Sequence, residues 1–259
     1  MLKKERLVTI LNLVNQSGIV TVNQLIEQLG VSDMTIRRDL ADLENSNKLI
    51  RMHGGCQSLT YNMKNELAHD EKKSVFKKEK MEVAEIATSY VEEGDTIFLG
   101  TGTTIELFAR YFDQNFIRIV TNSLPVFESL QDRVDKYDVI LLGGNYRKKT
   151  GAFVGSITNS VLEKMRFSKS FIGVNGINND CISNSNSEEG STQQLALNCA
   201  EKKYIVADLH KLNKSDFYCF YNLSDIDGLI TNSNLENEIR RHYSNYTQVI
   251  SDTYKKYIN

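Results

Sequence analysis

Two groups of residues have types and spacing suited to chemistry, and the sharper one is Gly100-Thr101-Gly102-Thr103-Thr104, placed between the apolar run TIFL and a helical pattern. A strand that turns into a helix there aims backbone N–H groups and a helix N-terminus at one point, where an anion is favoured and threonine hydroxyls add donors. A phosphate fits that description. The string is neither a dinucleotide fingerprint nor a P-loop, because the third glycine is missing and no Lys-Ser/Thr pair follows. An ordinary tight turn has the same letters, so the reading gains weight only from other polar strand ends. Those ends are Thr121-Asn122-Ser123, Gly143-Gly144-Asn145, Asn175, and Asp208 with nearby His210 and Lys211. In an open α/β sheet the carboxyl ends of the strands line the ligand crevice. Lys211 would supply positive charge, while Asp208, Glu188 or Glu189 would accept hydrogen bonds from sugar hydroxyls. The polar stretch from Asn184 to Gly190 reads as a loop at the same edge that orders on ligand binding. The expected ligand set is Thr101, Gly102, Thr103, Thr104, Thr121, Asn122, Asn175, Glu188, Asp208 and Lys211.

The second group lies near the N-terminus. VTVNQLIEQL, the turn Gly30-Val31 and DMTIRRDLADLE read as helix, turn and helix, with Ser32 as the cap of the second helix. Ile36, Leu40 and Leu43 share an inward stripe, which leaves Thr35, Arg37 and Arg38 outside near the helix start. A recognition helix presents that part to the major groove, where arginine pairs with guanine or a phosphate and threonine meets a thymine methyl or a phosphate oxygen. KLIRMHGG then reads as a strand pair closed by Gly54-Gly55, a wing that carries Arg51 and His53 to the nucleic-acid backbone. The expected DNA-contacting set is Ser32, Thr35, Arg37, Arg38, Arg51 and His53. For the arginine pair alone a solvated face is the commoner explanation. Residues 1–58 hold seven Lys/Arg and six Asp/Glu, so their net charge is only +1 and electrostatics does not decide. The order of parts does: three helical stripes, a capped helix with basic residues near its start, then a Gly-Gly hairpin.

These sites require elements to hold them. Up to Ser58 the apolar residues follow helical spacing, 59–80 is polar and charge-rich and reads as a linker, and from Met81 short β-rich runs alternate with helical patterns to residue 259. The expected fold is α/β: a winged helix-turn-helix over 1–58, a linker over 59–80, and a Rossmann-like domain over 81–259. A net charge of −2 and a pI near 6.1 exclude a generally basic nucleic-acid coat. Cys56, Cys181, Cys199 and Cys219 are scattered without a CxxC pair, so neither a metal nor a disulfide framework is expected, and they read as buried small residues in a reducing cytosol. Polar Thr9, Asn12, Asn15 and Gln16 interrupt the first apolar stretch, so neither a signal peptide nor a membrane span is expected and the protein reads as cytoplasmic.

Two functions fit the larger domain. An isomerase would use Glu188, Glu189 or Asp208 as base and Lys211 to stabilise an enediolate, whereas a sensor would use the same groups only to hold the ligand. The DNA-binding part favours the sensor, with no catalytic residue and no cofactor. The strings VSDMTIRRDL, RMHGG, FLGTGTT, VTNS, LLGGNYR, FVGS and VADLHK resemble the DeoR family of bacterial regulators along essentially the whole chain. That resemblance implies a DeoR-type winged helix-turn-helix joined to a sensor domain related to ribose-5-phosphate isomerase and the CoA transferases. GTGTTIEL, FVGSITNSVLEKMRFSKSFIGVN and TQQLAL are most similar to the lactose-operon branch of the family. It implies a repressor on double-stranded operator DNA, with tagatose 6-phosphate as effector and Asp208 and Lys211 at the family's DxxK positions. A homo-oligomer is expected because one small module makes few contacts and paired half-sites multiply affinity. The segment Ser187-Glu188-Glu189-Gly190-Ser191 departs from that branch, as does Cys56, where alanine is usual.

Overall fold

The structure, a computed structural model, describes residues 3–17, 19–46, 48–52, 54–58, 67–111, 113–133 and 135–253. The chain divides into two compact units, Met1–Glu66 and Leu67–Asn259.

The first unit contains α1 (Lys3–Ser17), β1 (Ile19–Thr21), α2 (Val22–Leu29), α3 (Asp33–Asn45), β2 (Leu49–Met52) and β3 (Gly55–Ser58). Its core joins the three predicted helical stripes: Ile10 and Val14, then Val22 and Leu25, then Ile36, Leu40 and Leu43. Helix α2 starts in a capping box between Thr21 and Gln24 and stops at Gly30, whose φ of 64° turns the chain toward Ser32, the cap of α3. The Gly-Gly hairpin forms as expected, with Gly54 at φ 81°. A Cβ on Gly55 would sit 2.5 Å from the Val20 carbonyl oxygen, because β1 pairs antiparallel with β3 at this point. Strand β1 was not expected, since three residues are too few for a periodicity. Cys56 is fully buried in this core, and burial pushes its thiol up to about 11.

The second unit opens with α4 (His69–Ser74) and α5 (Lys77–Thr88). The expected linker therefore covers two different things: 59–66 lie outside the described residues, whereas 67–80 is largely helical and belongs to this unit. There follow β4 (Thr96–Leu99), α6 (Thr103–Tyr111), β5 (Arg118–Thr121), α7 (Leu124–Leu130), β6 (Asp138–Leu141), the hairpin of β7 (Asn145–Arg147) and β8 (Ala152–Val154), and α8 (Ser156–Leu162). The remainder is β9 (Phe167–Gly173), β10 (Gly176–Asn178), β11 (Cys181–Asn184), α9 (Ser187–Asn198), β12 (Ala200–Val206), β13 (Tyr218–Asn222), β14 (Gly228–Ile230), α10 (Asn237–Ser244) and β15 (Val249–Ile250).

Seven of these strands form one parallel sheet in the order β15-β14-β12-β9-β4-β5-β6. Its strands are near-continuously apolar because both faces are covered. Ile97 and Leu99 of β4 pack with Val83 of α5 and Phe108 of α6, while Phe98 between them packs with Leu162 of α8, Leu197 of α9 and Tyr243 of α10 in the opposite core. The chain steps outward from β4 through β5 to β6, then returns to place β9 on the other side of β4. That reversal opens a crevice between β4 and β9 at their carboxyl ends.

Two expectations are corrected here. The stretch Asn184 to Gly190 is not a loop: Asn184 ends β11 and Asn186 caps α9, its side chain accepting from the Glu189 N–H. Cys181 and Cys219 are not buried thiols but a disulfide, with Cα atoms 5.7 Å apart across the paired strands β11 and β13. A sequence separation of 38 residues gave no sign of that proximity. No described helix is long and apolar enough to cross a membrane.

Candidate functional site

The loop Gly100–Thr104 fills the crevice between β4 and β9. Gly100 donates its N–H to the Phe171 carbonyl at 2.9 Å, and Gly102 at φ 121° turns the chain into α6. The loop lies so close to β9 that a Cβ on Gly173 would be 2.6 Å from the Thr101 carbonyl oxygen. The resulting cleft, about 570 Å³ with its open mouth, is lined by Thr101, Gly102, Thr103 and Thr104 on this side.

Three lysines share the same cleft: Lys72 from α4, Lys80 from α5, and Lys211 from a 3₁₀ turn after β12. Lys80 is only 4% exposed, and its Nζ donates to the Lys72 carbonyl at 2.6 Å. Burial and then the charge of Lys211 push its ammonium down to about 8, with Asp208 opposing and Lys72 adding to the shift. Burial also lowers Lys211, again against the pull of Asp208. Asp208 is fully buried and does not line the cleft; one carboxylate oxygen accepts from the His210 N–H, and the other has no hydrogen-bond partner among the described residues. Asp208 and Asp216 both act on Lys211, and Glu189 faces the same cleft from the opposite wall. An anion bound beside the threonine loop would meet the ammonium groups of Lys72, Lys80 and Lys211 and gain from the low local dielectric.

The opposite wall is polar and hydrogen-bonded. Glu189, 5% exposed, accepts from Thr101 Oγ1 at 2.5 Å, Thr150 Oγ1 at 3.1 Å and Arg147 at 3.4 Å. Gln193 donates to Thr101 Oγ1 and to the Gly173 carbonyl, both at 3.2 Å, and accepts from Asn184. Asn175 donates to Asp216 at 2.9 Å and Ser185 at 3.2 Å, and accepts from Lys72 at 3.4 Å. His69 closes one end, its Nε2 2.7 Å from Glu106. Although burial works against it, the hydrogen bond with His69 and the charges of Lys73 and Arg110 hold Glu106 below the usual carboxylate range.

Of the expected ligand set, the cleft gathers Thr101, Gly102, Thr103, Thr104, Asn175 and Lys211. Thr121 and Asn122 lie elsewhere, buried at the end of β5: Thr121 Oγ1 accepts from the Ser123 N–H, and Asn122 donates to the Phe153 carbonyl of β8. Glu188 is exposed on α9 and its neighbour Glu189 faces the cleft, as the 100° step between helical neighbours requires. Sequence reasoning missed His69, Lys72, Lys80, Thr150 and Gln193. The lysines sat in a charge run that looked solvated; the apolar Val83, Ala84 and Ala87 just beyond them were the available signal. Among the described residues no group of His, Cys, Asp and Glu could hold a metal ion.

In the first unit, α3 carries its charges in the expected places. Arg37 pairs with Asp33 one turn earlier at 2.6 Å, both about half exposed, and Arg38 is exposed without an ion pair among the described residues. Ser32 and Thr35 bond through their hydroxyls at 2.9 Å, and Arg51 on the wing strand lies 3.6 Å from Glu44. His53 lies outside the described residues. Met34, 67% exposed at the start of α3, is an apolar group that the sequence reading passed over. Asp39, in contrast, is 1% exposed and holds Arg6, so that arginine ties α1 to α3.

A helix-turn-helix with a hairpin wing, joined to a separate α/β unit with a lysine-lined cleft, defines a DNA-binding regulator with a sensor domain. The DeoR-like helix-turn-helix domain matches residues 6–62 and the DeoR C terminal sensor domain matches 75–233. The chain is 44% identical over 252 residues to the lactose phosphotransferase system repressor of Streptococcus mutans serotype c, covering 97% of this chain and all of that one. It is 42% identical to the lactose phosphotransferase system repressor of Lactococcus lactis subsp. lactis, over 96% of this chain and 98% of that one. Among solved structures, ribose 5 phosphate isomerase A from Neisseria gonorrhoeae is similar with a TM-score of 0.38 and 21% identity, covering 52% of this chain and 53% of that one. The chain belongs to the DeoR family. It is a DNA-binding transcriptional repressor and not an enzyme.

Proposed function

We propose that this protein, acting in the cytoplasm as a homo-oligomer, represses a lactose or galactose uptake and catabolism operon and leaves its double-stranded operator when a sugar phosphate fills the cleft. The observation that carries the effector reading is the meeting of Lys72, Lys80 and Lys211 with the threonine loop at the start of α6. The phosphate would lie among these groups, and Glu189, Asn175 and Asn184 would take the sugar hydroxyls. Tagatose 6-phosphate is the leading candidate, supported by the 44% identity with a lactose phosphotransferase system repressor. On the DNA side, Arg38, Thr35 and the Ser32 cap would meet the major groove and Arg51 the flanking phosphates. Arg37 would first exchange Asp33, a small cost for an exposed pair. One small module makes few contacts, so paired half-sites supply the affinity. Release follows only if the ligand prefers the conformation with weaker operator affinity.

Calorimetry on the full chain tests the cleft. Tagatose 6-phosphate should bind, tagatose should bind far more weakly, and Lys211→Met should lose most of the difference. Equal affinity for the sugar with and without its phosphate would remove the anion reading.

A further inference from the structure

Helix α4 has one buried side chain, His69, and it is tethered at both ends of that residue. The imidazole Nε2 lies 2.7 Å from Glu106 on α6, and the His69 N–H donates to the Lys149 carbonyl at 2.9 Å in the β7–β8 hairpin loop. One turn on, Lys72 reaches the cleft with its side chain, while its carbonyl accepts from Lys80 at 2.6 Å. Beyond the helix the chain breaks sharply. Phe76 takes a φ of 52°, unusual for a bulky residue, and stacks on His210 with ring centroids 3.6 Å apart, beside Lys211. Helix α4 is thus a short arm with His69 as its anchor and Lys72 as its grip on the cleft. It is also the first described element after 59–66, the segment that leads from the first unit.

We propose that His69 is a positioning residue for the response to the effector: it fixes α4 so that an anion drawn between Lys72, Lys80 and Lys211 changes the chain entering at Leu67 rather than only the lysine side chain. This rests on the cleft being the effector site. Without the anchor, Lys72 would still follow the anion, but a loosened helix would absorb the change locally. Binding and release should therefore separate. A purely structural role would lower the melting temperature and leave the two linked.

The test uses the full chain, with tagatose 6-phosphate and inorganic phosphate as probes. Calorimetry gives ligand affinity, and a DNA titration gives the ratio of operator Kd with and without saturating ligand. His69 lines one end of the cleft, so His69→Ala is read at saturating ligand, where any loss of affinity is overcome, and there the operator ratio should fall about tenfold, within the usual span of coupling. His69→Gln, which can still donate to Glu106, should recover most of the ratio. Hydrogen exchange at residues 71–75 of the wild type should slow on ligand binding, a readout independent of any folding defect in the variant. An unchanged ratio in His69→Ala, or unchanged exchange in the wild type, overturns the proposal. If neither probe binds the wild type, the cleft reading falls and this falls with it. If a probe binds but leaves operator affinity unchanged, the cleft stands as an anion site and the positioning role is refuted.

Discussion

Raising the pH from about 7.5 to about 9.5 should weaken sugar-phosphate binding in a way set by Lys80. With its pKa pushed down to about 8 by burial and by Lys211, Lys80 loses its proton early in that range when the cleft is empty. A bound dianion returns the ammonium toward its ordinary value near 10.4, so binding above about pH 8 must import a proton. With those two values the Lys80 contribution alone lowers the affinity about twentyfold across the range, roughly 1.8 kcal/mol, and Lys211, also lowered by burial in the same cleft, adds to the fall. The ligand adds little slope of its own, because the second phosphate pKa of about 6 is already passed. The stability consequence has the opposite sign. A lysine whose folded pKa is depressed penalises the folded state while charged, so the ligand-free protein should gain stability from this group as pH climbs from about 8 to 10.4. Cys56, pushed up to about 11, and Tyr204, pushed up to about 12, act the other way above their unfolded values, so the comparison must be made against Lys80→Met. Titration calorimetry in two buffers of different ionisation enthalpy counts the proton directly, with uptake approaching one near pH 9. Affinity that stays flat to pH 9.5, or a Lys80→Met variant that keeps the wild-type pH profile, would refute the reasoning.

Two further outcomes follow from the geometry. Arg38→Ala should leave the melting curve unchanged and weaken operator binding, by about 1–3 kcal/mol if it reads a base or with a salt slope lower by about one if it meets a phosphate; Arg37→Ala should cost less because Asp33 already shares its charge. Titrations across a salt series decide, and wild-type binding by the Arg38 variant would remove α3 from the interface. Glu188→Gln should be silent, whereas Glu189→Gln should weaken tagatose 6-phosphate more than inorganic phosphate, since besides Thr101 of the threonine loop it disturbs Thr150 and Arg147 at the sugar end. Calorimetry with both ligands separates the pair, and equal losses for both ligands would place Glu189 at the phosphate instead.

The legible part of this protein was the part written in local signals. The cap at Ser32, the stripe Ile36, Leu40 and Leu43, and the glycines of the wing all act within a few residues of their own positions, and each took the expected form. The threonine loop was equally local. Lys72 and Lys80 were not, because α4 packed on α6, and α5 buried on one side by β12 and β14, look in sequence like charged helices in water until their neighbours are placed beside them. The same holds for Cys181 and Cys219, which meet only because β13 returns beside β11. Thr121 and Asn122 show the converse. They sit at a strand end, as the general rule for open sheets asks, but β5 lies one strand away from the reversal between β4 and β9, so its end supports a hairpin rather than the ligand cleft.

The strand order also dictates how the sensor unit must emerge from the ribosome. Strands β4, β5 and β6 are complete by Leu141, yet the neighbour that closes the inner edge of β4 does not begin until Phe167. The face bearing Phe98 and Val120 waits longer still, because after α8 the rest of its cover comes from α9, β13 and α10, all later in the chain than β9. For that interval the nascent chain carries an open parallel edge and a bare apolar face, features that recruit aggregation partners in unfinished proteins. Synthesis through α10, rather than the formation of any single βα unit, is therefore what completes the cover of this core.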